Sequence, residues 1–110
     1  MALADLSDAE LKAYIALARL VVRADLAFTD EEEEALRRQA EQVGMERWRR
    51  LVEASTAEAT SRAAVMALAR GVARPEARAL IAATLVELAG ADELVPAEQA
   101  ILDEVRALWA

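Results

Sequence analysis

The stretch Ala24-Asp25-Leu26-Ala27-Phe28-Thr29-Asp30-Glu31-Glu32-Glu33-Glu34 decides how this chain folds. An almost wholly apolar run leads into it. A turn then carries one Asp and one aromatic, Phe28. Thr29-Asp30-Glu31-Glu32 is a capping box, in which the Thr hydroxyl and the Glu carboxylate satisfy free N–H groups at a helix start. Asp30 to Glu34 place five acids at the positive end of the helix dipole, each favourable there by about 0.3–1 kcal/mol before their mutual repulsion. A similar unit returns as Ala91-Asp92-Glu93-Leu94-Val95-Pro96-Ala97-Glu98.

Nearer the N-terminus, Ser7-Asp8-Ala9-Glu10 is another capping box and opens a helix expected to reach about Arg23. Leu11, Tyr14, Ile15, Leu17, Ala18, Val21 and Val22 make it apolar over most of its circumference, as in a central, buried helix. Its polar stripe is Lys12, Arg19 and Arg23, with small Ala16. The second helix turns Leu36, Ala40 and Val43 inward and stops at Gly44. A third runs from Met45 to about Ala54, with Trp48, Leu51 and Val52 on one side. Ser55-Thr56-Ala57-Glu58 reads as a further capping box, opening a helix to about Arg70 that buries Val65, Met66 and Leu68. Pro75 suits the first turn of the fifth helix, to about Ala89, with Leu80, Ile81, Leu85, Val86 and Leu88 inside. The last opens at Pro96 and buries Ala100, Ile101, Val105, Leu108 and Trp109.

Composition agrees. Ala fills 28 of the 110 positions and Leu 15, while Gly and Pro together fill five. These are helix formers with few turn residues, so the expectation is one all-α domain over 1–110, a compact bundle of about six short helices. The chain has no Cys and no His, which excludes thiolate and imidazole chemistry and Cys/His zinc sites. A metal bound by such a chain takes oxygen ligands, which favours Ca²⁺, Mg²⁺ or Mn²⁺. A net charge of -7 argues against nucleic-acid binding. The longest charge-free stretch, Ala79 to Val86, is far short of the roughly 20 residues of a membrane span. The acidic N-terminus lacks a signal-peptide core. Together these predict a cytoplasmic protein without membrane insertion.

Superposed, the two acid units match Asp25 with Asp92, Phe28 with Leu94 or Val95, Glu32 with Glu98 and Leu36 with Leu102. The second is one residue shorter between its Asp and its Glu. This duplicated pattern resembles the TerB-like (tellurite-resistance B) family: an apolar helix ending in Ala-Asp-Gly, a spacer with one aliphatic residue, then a Glu near the next helix start. The family's Gly is Leu26 in one unit and Glu93 in the other, side chains that resist a left-handed turn. The resemblance implies a pseudo-twofold helical domain linked to metal-ion or oxyanion stress. It also implies divalent-cation binding by acids gathered on one surface. Asp25, Glu32, Asp92 and Glu98 are the ligand candidates, with Asp30 and Glu33 as helpers.

Each candidate has a plainer role beside that one. Glu32 and Glu98 fit helix capping, Asp25 and Asp92 fit turns that hold loop N–H groups, and Asp30 to Glu34 fit a solvated helix start. The EF-hand pattern is absent. Arg37, Arg38, Arg47, Arg49 and Arg50 follow the acids and fit ion pairs with Glu33, Glu34, Glu41, Glu46 and Glu53 at helical spacing. They also fit a surface for a protein partner or a second copy of the chain, as does Trp48 or Trp109 if exposed. The nucleophile candidates are few: Ser7, Ser55, Ser61, the threonines and Lys12. Ser7 and Ser55 have capping roles, and no Gly-rich phosphate loop occurs, so the expectation is a non-enzymatic module.

Overall fold

The computed structural model describes residues 1–24, 29–90 and 95–110. A short 3-10 turn, Leu3–Asp5, precedes six α-helices among these residues: α1 Asp8–Ala24, α2 Asp30–Val43, α3 Met45–Glu58, α4 Arg62–Arg70, α5 Pro75–Leu88 and α6 Pro96–Trp109. No strand occurs among them, so the all-α expectation holds.

Helix α1 is the axis of the bundle. It packs against α3, α4, α5 and α6. Leu11, Ala13, Tyr14, Ile15, Ala16, Leu17, Ala18 and Val21 are all buried, so nearly every face of α1 is covered. Each large apolar side chain buried this way contributes about 1.5–3 kcal/mol relative to exposure. Alanines at 13, 16 and 18 let neighbouring helices approach closely. Tyr14 is fully buried, and its hydroxyl donates to Gln39 Oε1 at 2.6 Å, tying α1 to α2. Ile81, Leu85 and Leu88 of α5 and Ile101, Leu102 and Val105 of α6 complete the core with Val65, Met66 and Ala69 of α4.

The Ser7 box is present: Glu10 Oε1 accepts from the Ser7 N–H at 2.8 Å, and Ser7 Oγ accepts from the Glu10 N–H at 3.2 Å. Gly44 ends α2 with φ +106°, a conformation that other residues rarely adopt. Trp48 and Trp109 both sit half-buried at the edge of the core. The indole of Trp109 donates to the Ala69 carbonyl at 2.9 Å, which docks the end of α6 on α4.

Two expectations require correction. The box at Ser55 is not a helix start, because α3 continues unbroken to Glu58. Ser55 is buried, its hydroxyl donating to the Val52 carbonyl at 3.0 Å, and Thr56 donates to the same carbonyl at 2.7 Å. Both hydroxyls are thus satisfied inside a helix, a known alternative to capping. The cap of α4 is Ser61, whose Oγ accepts from the Ala64 N–H at 3.1 Å. Ala100 is also exposed rather than buried, and Leu102 fills the inward place. That shift rotates the buried stripe of α6 to Glu98, Ile101, Leu102 and Val105.

Candidate carboxylate site

Thr29 caps α2 as its sequence demands. Its hydroxyl oxygen accepts from the Glu32 N–H at 3.2 Å. Glu32 Oε1 accepts in return from the Thr29 N–H at 3.4 Å and the Thr29 hydroxyl at 3.1 Å. Glu32 is nevertheless buried, and its second oxygen, Oε2, is inaccessible and has no hydrogen-bond donor among the described residues. An ordinary surface cap leaves that oxygen to water. Here it is held inside the fold.

Glu98 holds the same position on α6. Each Glu is the third residue of its helix, following Asp30-Glu31 in α2 and Pro96-Ala97 in α6. Glu98 Oε1 accepts from the Val95 N–H at 3.2 Å. Val95 has no hydroxyl, so only this half of the box exists. Pro96 at the first helical position has no N–H to satisfy. Glu98 is fully buried, deeper than Glu32. Sequence pairing of Glu32 with Glu98 thus corresponds to one structural role used twice. The burial of both side chains was not legible, because glutamates at helix starts are ordinarily exposed.

The remaining candidates divide. Asp25 and Asp92 lie outside the described residues, as do Leu26, Phe28, Glu93 and Leu94. Asp30 and Glu33 are exposed on the first turn of α2. Among the described residues, no three acidic side chains converge as a metal-binding group. What the described structure supplies here is the buried carboxylates of Glu32 and Glu98, each a few residues after one of the two Asp positions in the sequence. Their oxygen donors suit a hard cation, which takes six or more such ligands.

The acids near the basic patch have specific partners. Arg37 bridges Glu34 at 2.6 Å and Glu41 at 3.1 Å, at helical spacing as expected. Its guanidinium holds the Glu34 carboxyl below the usual carboxylate range. Arg47 and Arg50 depart from that pattern. They reach across the fold to Asp8, at 2.9 and 3.3 Å, rather than to glutamates on their own helix. Arg47 also donates to the Ala4 and Leu6 carbonyls, pinning the N-terminal 3-10 turn. Hydrogen bonding from Arg47, then Arg50, lowers the Asp8 pKa. The basic run therefore serves tertiary structure more than helix-surface pairing.

Two features escaped sequence reasoning. Glu10 is both a cap and the buried partner of Arg74, 64 residues away. Met45, by contrast, is 59% exposed at the start of α3. With Trp48 and Val52 it lines a shallow groove flanked by Glu46, Arg49 and Glu53. No helix among the described residues is long and apolar enough to cross a membrane. In comparisons with protein-family models, curated proteins and solved structures, the chain shows no significant match.

Proposed function

We propose that this chain is a non-enzymatic, TerB-like module that binds a hard divalent cation through carboxylates at its two acid turns. The observation that supports this reading is the burial of Glu32 and Glu98 at equivalent positions of α2 and α6, with Glu32 Oε2 lacking a donor among the described residues. An unsatisfied buried polar group costs about 1–3 kcal/mol, more when charged. A cation shared with the adjoining turn would offset that cost. In this reading Glu32 caps α2 with one oxygen and offers the other as a ligand, and Glu98 joins it from the equivalent position of α6. Asp25 and Asp92 supply the turn ligands, and Asp30 and Glu33 lower the local potential. The stress-response role is the one the family resemblance implies.

Thermal unfolding of chelator-stripped protein, with Ca²⁺, Mg²⁺ and Mn²⁺ added separately, tests this. A ligand at 100 times its Kd stabilises by about 2.7 kcal/mol, which moves the Tm of a domain this size by several degrees. A selective shift supports the reading. Equal indifference to all three cations overturns it.

A second reading, a metal-free interaction module, draws on the Met45–Trp48–Val52 groove. A half-buried Trp beside an exposed Met is the composition of an interface anchor, either for a foreign protein or for a second copy. Sedimentation of wild type and Trp48→Glu across protein concentration distinguishes self-association from a monomer.

A further inference from the structure

Charge is unevenly spread over this acidic chain. One concavity, of about 240 Å³, lies where α1 meets the connection between α3 and α4. Its floor is apolar, built from Ala16, Leu20 and Val65. Around it stand three arginines: Arg19 and Arg23, one turn apart on α1, and Arg62 at the start of α4. Glu104 bridges Arg62 at 3.1 Å and fixes its guanidinium. Arg19 donates to the Thr56 hydroxyl and so is also held in place. Arg23 is exposed and has no hydrogen-bond or ion-pair partner among the described residues. Neither Arg19 nor Arg23 meets a carboxylate there, although the chain carries 20 acids against 13 basic residues. Like charges one helical turn apart repel, so a helix surface gains nothing from this pair alone.

The start of α4 adds to the same potential. Ser61 lines the concavity and caps the helix, taking the Ala64 N–H on its side chain and the Val65 N–H on its carbonyl at 3.0 Å. The N–H groups of Arg62 and Ala63 lie in the first turn, beyond intrahelical bonding. A helix start carries roughly half a positive charge, and guanidinium forks match the oxygens of a phosphate. The volume is below the roughly 300–1,000 Å³ of clefts for drug-sized ligands.

We propose that this concavity binds a phosphate group, carried by a small phosphomonoester. Arg19 and Arg23 present their forks to the phosphate oxygens. Arg62, oriented by Glu104, closes the third side. The floor of Ala16, Leu20 and Val65 takes the carbon portion of the ester. This site is separate from the carboxylates of α2 and α6, and its occupancy does not depend on a cation.

Isothermal titration tests it, with inorganic phosphate and with phenyl phosphate as probes, at ionic strength fixed by sodium chloride and with chelator present. Saturable binding of phenyl phosphate is expected. Arg23→Gln should weaken it at least tenfold and Arg19→Gln comparably. Arg106→Gln, an exposed arginine outside the concavity, should leave it unchanged. Circular dichroism confirms that each variant is folded, and Arg23 has no bond to lose among the described residues. Phenyl phosphate binding more tightly than inorganic phosphate assigns the apolar floor to the ester. Equal affinity for the two probes overturns the ester assignment. Heats no larger than those of chloride, or wild-type affinity in both Arg19→Gln and Arg23→Gln, overturn the site itself.

Discussion

Glu10 and Arg74 form a two-pronged ion pair across the bundle. Arg74 Nη2 donates to Oε1 at 2.6 Å and Nε donates to Oε2 at 2.8 Å. Glu10 is buried in the first turn of α1, and Arg74 immediately precedes α5. The pair therefore fastens the start of one helix to the start of the other. Glu10 Oε1 also accepts the Ser7 N–H, so one side chain caps α1 and anchors α5.

This geometry gives a pH dependence. Hydrogen bonding from Arg74, opposed by burial and aided by Ser7, pulls the Glu10 pKa from 4.5 down to about 2. A carboxyl whose folded pKa is depressed stabilises the fold above its unfolded pKa. That contribution is lost as pH falls from about 4.5 toward 2. Arg74→Leu should cost about 1–2 kcal/mol at neutral pH, after allowing for the half-exposed guanidinium. Urea unfolding of wild type and variant should converge as the pH approaches 2. A constant difference between them across that range would show that the pair does not carry the effect.

Tyr14 makes the opposite prediction at high pH. Burial raises its pKa well above the ordinary value of 10.0. A raised pKa means stability is present below the unfolded value and is lost as pH climbs above about 10. The chain has one tyrosine, so absorbance at the phenolate band reads it alone. Ionisation should coincide with loss of helical signal. Phenolate formation near pH 10 in a chain still fully helical would contradict the burial.

Capping supplies a third prediction. Ser61→Ala removes the acceptor for the Ala64 N–H and should cost about 1 kcal/mol, a typical cap loss. Ser55→Ala removes a hydroxyl that bonds only within its own turn, and should cost less. Chemical denaturation of the two variants ranks them. The reverse order would contradict this ranking of the two hydroxyls.

These two serines also mark the limit of sequence reading. Ser7-x-x-Glu10, Thr29-x-x-Glu32 and Ser55-x-x-Glu58 are the same pattern, and two of the three are true caps. The third fails because Ser55 lies on the buried face of α3, a tertiary fact with no local signature. The central place of α1 was legible, since apolar side chains cover nearly its whole circumference. Glu10 with Arg74 and Asp8 with Arg47 were not, because partners 64 and 39 residues apart leave no helical spacing to read. At the carboxylate site, the pairing of Glu32 with Glu98 was legible from the duplicated acid units. Their burial follows from how α2 and α6 meet the core. Asp25 and Asp92, the other half of that reading, fall outside the described residues.

If Asp25, Glu32, Asp92 and Glu98 act together on one cation, neutralising the two aspartates must weaken its binding. Calorimetric titration of Mn²⁺ into chelator-stripped wild type is compared with the Asp25→Asn, Asp92→Asn double variant, each first shown by circular dichroism to be folded. Saturable binding to wild type is expected, with a loss of at least tenfold in affinity in a double variant of unchanged helicity. Equal affinity in the two proteins, or no binding to wild type, would contradict it and leave Glu32 and Glu98 as helix caps.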